Sequence, residues 1–213
     1  MSSKTHVLGP LETTWEDWTL GGGVVAAFED PALPLEVEIG PGDDDFLLER
    51  ALAQPEHNWL GIEYSRKRVH RYVRRALDRA GTLGNLRLAW RPAGDVVRPF
   101  LSPSAVERFH VYFPDPWPKK HHHRYRMLSP AFLADLGHAL VPGGEVLFLT
   151  DHLEYALEVA QVVTEVEMLE NAYPAPGYEI VGAGDRTTVF EDQWRAEGLE
   201  IHRLRLLRAR VSP

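Results

Sequence analysis

Leu35-Glu36-Val37-Glu38-Ile39-Gly40-Pro41-Gly42 is the stretch that decides the fold, because it indicates a strand that runs directly into a glycine turn. A helical pattern over residues 44–54 follows the turn. This order lets backbone amides approach a ligand at the carboxyl edge of a parallel sheet. A carboxylate inside a strand is costly without a partner, so we predict a functional role for Glu38. The stretch therefore predicts a ligand-binding turn that contains Glu38, Gly40 and Gly42.

Apolar, β-branched runs alternate with helical patterns along the rest of the chain, which indicates an α/β fold with a mostly parallel sheet. The predicted strands lie near residues 35–39, 58–62, 86–90, 109–113, 145–149, 178–181 and 199–207. The predicted helices occupy residues 44–54, 66–80, 130–140 and 153–170. The last two strands have no long helical pattern between them, so we expect a terminal hairpin with one antiparallel strand. Residues 1–30 are weakly patterned and are expected to form an N-terminal extension, with a single domain over residues 31–213.

The composition narrows the class of protein. A chain of 213 residues without cysteine forms no disulfide and has no thiolate chemistry. We recognise no apolar signal-peptide core at the amino terminus and no run of membrane-spanning length, so we expect a cytoplasmic protein. The composition does not distinguish a monomer from a homodimer.

The net charge of −8 argues against a nucleic-acid partner, but the distribution of the basic residues does not. Of the 23 Lys and Arg residues, 14 fall within residues 66–75, 119–126 and 203–210. We therefore expect local basic faces on an acidic protein. The candidate contacts with an RNA backbone in the first segment are Arg66, Lys67, Arg71, Arg74 and Arg75.

Further acids follow the second and third predicted strands. Glu63 ends the second strand, where an acid typically binds ribose hydroxyls, and Asp95 follows the third strand. The carboxylates of Asp43–Asp45 lie where the pyrophosphate of a dinucleotide would dock, and they would repel it. S-adenosylmethionine carries no phosphate and presents a sulfonium cation. The charge of this turn therefore favours S-adenosylmethionine over a nicotinamide cofactor.

A second informative stretch is Phe113-Pro114-Asp115-Pro116-Trp117-Pro118-Lys119-Lys120, which follows a β-rich segment. Proline fixes φ and cannot donate to a strand ladder, so its three prolines end the strand in a stiff loop. The loop holds a carboxylate, Asp115, and a broad aromatic ring, Trp117, beside cationic side chains. An acid, a stacking surface and cations in one loop indicate a site for a nucleobase on a polyanion.

With this loop, the sequence resembles the bacterial tRNA (guanine-N7)-methyltransferase family over roughly residues 33–207. The glycine turn, Glu63 and Asp95 are generic to class I methyltransferases. The loop is more specific, because it reproduces the Phe-Pro-Asp-Pro-Trp-Pro-Lys-Lys signature of the family without a change. Residues 143–151 resemble the fifth-strand motif of the family, and Thr188-Val189-Phe190-Glu191 resembles its carboxyl-terminal Thr-x-Phe-Glu element.

The resemblance implies a Rossmann-like class I methyltransferase fold with a mostly parallel, seven-stranded sheet. It also implies methyl transfer from S-adenosylmethionine to N7 of a guanine in the variable loop of tRNA, with Asp115 as the catalytic acid residue. The implied contacts with S-adenosylmethionine, beside the glycine turn, are Glu38, Glu63, Asp95 and Asp115. The implied contacts with the target guanosine are Lys119, Asp151, Thr188 and Glu191.

The sequence departs from the family pattern at three places. Asp44 replaces the third glycine of the turn, His121, His123 and Tyr125 interrupt a basic tail, and Gln193 stands where arginine is common. The first departure puts the fit of the cofactor in question. The others put the affinity for tRNA and its pH dependence in question.

Two alternative functions stay open. Asp115-Pro116-Trp117 also resembles the loop with which other methyltransferases hold an exocyclic amine, so a nucleobase or protein amino group is the second candidate substrate. A non-catalytic RNA-binding relative is the third hypothesis, prompted by Asp44. A nicotinamide oxidoreductase ranks last, because we recognise no Tyr/Lys or Ser/Tyr proton-relay pair.

The run His121-His122-His123 invites a metal hypothesis. Consecutive residues of an extended loop point to alternate sides and do not easily chelate one ion, so we expect no metal site there. We expect instead that protonated histidines add to phosphate affinity below about pH 6.5.

Overall fold

The computed structural model describes residues 12–13, 24–182 and 197–209. Within these residues, the strands of a single sheet are β1 Glu12–Thr13, β2 Leu35–Ile39, β3 Asn58–Glu63, β4 Leu86–Trp90, β5 Val106–Tyr112, β6 Leu140–Thr150, β7 Leu169–Asn171, β8 Glu179–Ile180 and β9 His202–Arg208. The spatial order is β1-β4-β3-β2-β5-β6-β9-β7, and β8 pairs with β9.

The direction of the strands confirms a mostly parallel sheet with an antiparallel strand near the carboxyl terminus. Strands β1 to β6 pair in parallel, whereas β9 runs antiparallel to β6, β7 and β8. The order reverses at β2, because β3 and β4 lie on one side of it and β5 and β6 on the other. Ligands of such sheets bind at the carboxyl ends of the strands beside this switch point. The turn after β2 and the loop after β5 therefore flank the expected crevice.

Five helices cover the sheet in the described part of the chain. They are α1 Phe46–Ala53, α2 Arg66–Ala80, α3 Gly94–Phe100, α4 Pro130–Ala139 and α5 Leu153–Val162. The buried side chains of α1 and α2 belong to one apolar cluster, and those of α3, α4 and α5 belong to another. The sheet is therefore covered on both faces, as parallel sheets usually are. No helix in these residues is both long and apolar enough to cross a membrane.

Strand β2 is buried along its whole length, yet it alternates in polarity. Leu35, Val37 and Ile39 pack into the apolar cluster beneath α3, α4 and α5. Because side chains of a strand alternate between faces, Glu36 and Glu38 point to the opposite face of the sheet. Two buried glutamates in a central strand need partners there, and each meets a different environment.

The carboxyl-terminal third differs in detail from the predicted pattern. The helix predicted over 153–170 ends at Val162, followed by a 3-10 turn and by β7. Leu169 pairs with Arg208 of β9, so sheet pairing overrides the helical pattern there. The short helix α3 was also missed, because it has Pro99 inside it and forms by burying Val96 and Val97. Strands β1 and β7 bring the described sheet to nine strands instead of the predicted seven.

Strand β1 lies within the predicted N-terminal extension but pairs with β4 of the main sheet. The division of the chain at residue 31 stays a prediction.

Candidate functional site

The turn after β2 has the backbone conformation that its glycines predict. Gly40 and Gly42 have φ angles of 76° and 58°, which other residues rarely adopt. The Gly40 N–H donates to the Ile62 carbonyl oxygen at 2.8 Å, and the Gly42 N–H donates to Glu63 Oε2 at 3.3 Å. A Cβ atom on Gly40 would meet no atom within 4 Å. Strand β3 therefore holds the turn and leaves its backbone open to a ligand.

Glu63 is the residue through which β3 holds the turn. Its carboxylate is buried, and Oε1 accepts a hydrogen bond from the Ser65 N–H at 2.8 Å while Oε2 accepts the one from Gly42. Arg68 Nη1 lies 3.9 Å from Oε2. Each carboxylate oxygen has two lone pairs, so Glu63 retains the capacity to accept hydrogen bonds from the hydroxyl groups of a ligand.

Glu38 meets a different environment in the same crevice. It is 3% exposed, and its Oε2 has no hydrogen-bond partner among the described residues. Burial raises the pKa of Glu38 well above its ordinary value, and the negative charges of Asp44 and Glu63 raise it further. Burying a carboxylate oxygen without a hydrogen-bond partner is unfavourable in free energy. The site is therefore suited to a ligand that brings a cation or N–H donors to Glu38.

Helix α2 neutralises the acidic turn before α1. Arg71 Nη2 lies 2.8 Å from Asp43 Oδ2, and Asp45 lies 2.5 Å from Arg75 Nε and 3.2 Å from Arg79 Nη1. These ion pairs weaken the argument that free carboxylates repel a pyrophosphate, so the choice of cofactor rests on other observations. They also engage Arg71 and Arg75, two of the side chains expected to contact RNA.

Asp44, the residue that replaces the third glycine, lies two residues before helix α1. Its Oδ1 accepts a hydrogen bond from the Phe46 N–H at 2.6 Å, and the side chain is buried. Such a contact satisfies one of the free N–H groups at a helix start. Asp44 thus stabilises the start of the helix by this hydrogen bond. Its negative charge also disfavours ionisation of Glu38.

The loop after β5 is held in an unusual backbone conformation. Phe113 and Trp117 have φ angles of 48° and 45°, which are uncommon for residues with large side chains. The Phe113 N–H still donates to the Leu149 carbonyl oxygen at 2.9 Å, so the sheet pairing continues one residue past β5. Asp115, between the two strained residues, is exposed. The loop therefore presents Asp115 to solvent at the carboxyl edge of the sheet.

Arg126 anchors this loop to helix α5. Its Nε donates to the Pro116 carbonyl oxygen at 2.8 Å, and Nη1 donates to Glu158 Oε2. The guanidinium lies 4.9 Å from the centroid of the Tyr155 ring, and the side chain is 2% exposed. In the sequence, Arg126 belongs to a segment that is expected to form a basic face on the surface. It is instead a buried link between the loop and the scaffold.

The histidine run is a 3-10 helix, Lys120–Tyr125, and not the extended loop that the sequence suggested. His123 Nδ1 lies 3.5 Å from Glu158 Oε2, and His123 Nε2 lies 3.6 Å from Glu154 Oε1. His123 thus faces two carboxylates of helix α5, and the expectation that the histidines add to phosphate affinity stays a prediction. Over residues 12–13, 24–182 and 197–209, no three His, Cys, Asp or Glu side chains are arranged to hold a metal ion.

The remaining predicted site residues lie at the same edge of the sheet or outside the described residues. Asp95 is exposed in the first turn of α3, and Asp151 follows β6 half-buried. Lys119 is exposed just before the 3-10 helix. Thr188 and Glu191 lie outside the residues that the structure describes. The structure thus joins the glycine turn and Glu63 by a hydrogen bond and places Glu38 close enough to feel the charge of Glu63, and the role of every site residue stays a prediction.

A buried polar chain that sequence reasoning missed leads to the start of the loop. His110 Nε2 lies 2.6 Å from Glu36 Oε2, and His110 Nδ1 lies 2.6 Å from Tyr112 Oη. Burial lowers the pKa of His110, although contact with Glu36 opposes this, and burial raises the pKa of Tyr112 well above its ordinary value. A neutral His110 therefore donates from Nε2 to Glu36 and accepts from Tyr112. Alternation of polar residues in β2 and β5 was the only signal in the sequence.

The comparisons with known proteins agree with this arrangement. The sequence matches a family described as "Putative methyltransferase" over residues 32–204. It is 36% identical to a tRNA (guanine-N(7)-)-methyltransferase of Halorhodospira halophila, over 81% of this chain and 74% of that protein. The chain belongs to the tRNA (guanine-N7)-methyltransferase family. Another member, from Bordetella pertussis, is 39% identical over 73% of this chain, and the match spans only 59% of that protein.

Solved structures show the same fold. The crystal structure of the 16S rRNA methyltransferase KamB superposes with a TM-score of 0.63 at 18% sequence identity, covering 83% of this chain and 88% of that one. At this identity the likeness concerns the fold alone. It supports the class I methyltransferase topology that the strand order displays.

Proposed function

We propose that this protein transfers a methyl group from S-adenosylmethionine to N7 of a guanine in the variable loop of tRNA. One observation carries the proposal: the loop Phe113–Lys120 leaves β5 next to β2, which ends in the glycine turn and contains Glu38, whose Oε2 has no hydrogen-bond partner in the described part of the chain. A loop suited to a nucleobase and a turn suited to a cofactor are thus neighbours at one edge of the sheet. Membership of the family supports guanine N7 as the acceptor and tRNA as the RNA.

The residues of the crevice fit S-adenosylmethionine. Glu38 offers the ammonium group a buried acceptor that no other described residue occupies, and Glu63 retains lone pairs for the ribose hydroxyls. The open backbone at Gly40 lets the ligand approach the turn. Asp95, after β4, is the proposed contact at the adenine end. When bound, the cofactor supplies an electrophilic methyl group on a sulfonium.

The acceptor atom explains why the loop needs no general base. Guanine N7 has an in-plane lone pair and no proton, so placement of N7 supplies most of the catalysis, an effect of ~7–11 kcal/mol in favourable cases. Methylation leaves the purine cationic, and a carboxylate beside it matches the transition state better than neutral guanine. Asp115 suits this role, and it also suits acceptance of hydrogen bonds from guanine N1–H and the exocyclic amine. Both roles stay open.

The proposed contacts with the guanosine are Lys119, Asp151, Thr188 and Glu191. A tRNA substrate is also the reason for proposing a cytoplasmic location. We predict that the protein is a monomer or a homodimer, and sedimentation analysis would distinguish the two states.

The test is methyl transfer to unmodified tRNA transcripts, followed by nucleoside analysis of the product. We expect 7-methylguanosine as the product. A matched transcript with 7-deazaguanosine at the modified position keeps the Watson–Crick edge of the base but lacks N7, and we expect no transfer to it. Transfer to the 7-deaza transcript at a similar rate would point to an amino group as the acceptor. No transfer to either transcript, with no binding of S-adenosylmethionine, would favour the non-catalytic RNA-binding relative.

The Arg126 anchor gives a prediction about the position of the loop. Arg126→Gln removes the charged link between the Pro116 carbonyl oxygen and Glu158, so Asp115 is no longer held in place. A displacement of about 1 Å at a reacting group lowers rates by about 100-fold. We expect a fall of this order in kcat for methyl transfer, with the Kd for S-adenosylmethionine changed less than about threefold.

Three further variants separate positioning from general destabilisation. Glu158→Gln should lower kcat in the same direction, and the double variant should cost no more than Arg126→Gln alone, because both act through one contact. Arg126→Lys, which keeps the charge but has one donor group in place of the fork, should recover part of the rate. A kcat that tracks only the folded fraction would show that Arg126 is merely structural.

A further inference from the structure

Trp117 of the loop and planar side chains of the following 3-10 helix form a compact group. Trp117 is in contact with His122, at 5.6 Å between ring centroids, and with Tyr125, at 5.4 Å. His121 packs on His122 at 4.0 Å, and the Arg124 guanidinium lies 4.9 Å from the centroid of the Tyr125 ring. We call these five side chains the aromatic platform.

The aromatic platform has a supported side and an open side. Trp117 and His122 are half-buried and form the support. Tyr125 is 52% exposed. Arg124 Nη2 donates to Tyr125 Oη at 2.9 Å, which keeps the guanidinium beside the phenol ring. The open side therefore offers an ordered aromatic ring next to an ordered cation.

The surroundings of the aromatic platform are cationic. Lys119 and Lys120 are exposed at the start of the same 3-10 helix, and Asp115 lies two residues before Trp117. Aromatic rings and guanidinium planes that accept stacked bases, beside cations that attract phosphate, are the chemistry of single-stranded RNA recognition.

We propose that the aromatic platform stacks on an unpaired nucleobase of the tRNA next to the guanosine that enters the Asp115 site. The proposal rests on the proposed function for the identity of the RNA. It assigns Tyr125 and Arg124 to a contact that distinguishes an unpaired neighbouring nucleotide from a paired one. Stacking is tolerant of base identity, so the contact reads the state of the strand and not its sequence.

The experiment measures the Kd for unmodified tRNA over a range of salt concentrations. Tyr125→Ala should raise the Kd by about fivefold to 140-fold, the range that corresponds to ~1–3 kcal/mol per stacked base. The slope of log Kd against log salt should not change, because no phosphate contact is lost. Lys120→Ala is the matched comparison, and it should reduce that slope by about 0.7–0.9 for each phosphate contact removed. Tyr125→Phe keeps the ring and should retain most of the affinity.

Leu52→Ala is the control for loss of an exposed apolar side chain elsewhere, since Leu52 is 44% exposed on α1, and it should leave the Kd unchanged. The proposal is overturned if Tyr125→Ala binds tRNA as the unmutated protein does, or if its salt slope falls as in Lys120→Ala. The former result would leave Tyr125 as a contact for a protein partner. The test of the aromatic platform is independent of the test of the proposed function. If Tyr125→Ala weakens RNA binding but the unmutated protein makes no 7-methylguanosine, the proposal for the aromatic platform is supported and the proposed methyl transfer is contradicted.

Discussion

We expect Asp115→Ala to lower the single-turnover rate constant for 7-methylguanosine formation by about 100-fold to 1,000-fold, the loss that follows when a group that stabilises transition-state charge is removed. The carboxylate is exposed in the free protein, where water screens it. Its full effect therefore requires the guanosine to exclude water from the loop. The measurement is single-turnover methyl transfer with saturating S-adenosylmethionine and tRNA.

A second variant separates the two roles of Asp115. Asp115→Asn removes the charge but keeps an acceptor oxygen, so it should be as slow as Asp115→Ala if charge is decisive. If acceptance from guanine N1–H and the amine is decisive, Asn should retain part of the rate, and inosine, which lacks the amine, should be a poor substrate for the unmutated enzyme. Glu56→Ala, an exposed acid before β3 at the opposite edge of the sheet, is the control. Near-normal activity of Asp115→Ala would remove Asp115 from the mechanism.

Glu38→Gln has two opposite expected effects. The affinity for S-adenosylmethionine should fall at least about tenfold, because the buried carboxylate is the proposed partner of the ammonium group and a charged hydrogen bond is lost. The stability of the ligand-free protein at pH 8 should rise, because burial and the charges of Asp44 and Glu63 disfavour an ionised Glu38. We expect an increase of about 2–4 °C in Tm, the shift that ~1 kcal/mol produces in a domain of this size.

The pH dependence of stability follows from the raised pKa of Glu38. Between its ordinary value and the raised value, the folded state holds a proton that the unfolded state has lost. Stability therefore falls as the pH rises through this window. Glutamine resembles the protonated side chain, so the gain from Glu38→Gln should be small at pH 5 and should grow towards pH 8. A difference that is constant over this range would contradict the assignment.

Glu36→Gln is the matched control, because Glu36 is buried on the same face of β2, two residues earlier. Burial alone would raise the pKa of Glu36, but the hydrogen bond from His110 and the charges around it lower the pKa overall. Its ionised form stabilises the fold above its ordinary pKa, and this contribution is lost as the pH falls. Glu36→Gln should thus destabilise the protein at pH 8, the reverse of Glu38→Gln. The pair tests the environment of each glutamate and not the loss of a carboxylate as such.

Much of the fold was predictable because it depends on local patterns. The helix over 66–80 was predicted with its observed bounds, since Val69, Tyr72, Val73 and Ala76 repeat at helical spacing and are all buried. The glycine turn followed from the order of strand and glycines. Helix α3 and strand β7 escaped prediction, because a short element with Pro99 inside it and a three-residue edge strand form only through tertiary contacts.

Partners of charged side chains were much less predictable. Arg71 and Arg75 were expected to face RNA, yet they pair with an acidic turn 28 and 30 residues earlier in the chain. Arg126 belongs to a basic segment that was expected to form a surface face, yet it is buried and bonds to Pro116 and to Glu158. The sequence around a Lys or Arg residue does not indicate whether a carboxylate far away in the chain will form an ion pair with it.

By itself, the sequence determined the alternation of strands and helices, the glycine turn, the proline-stiffened loop and the family, because each is written in residues that are close together along the chain. Only the tertiary structure decided which charges are neutralised, which glutamate of β2 has an oxygen without a hydrogen-bond partner among the described residues, and which aromatic rings are left exposed. These properties depend on contacts between residues far apart in the chain, and their energies arise from burial and from the distance between charges.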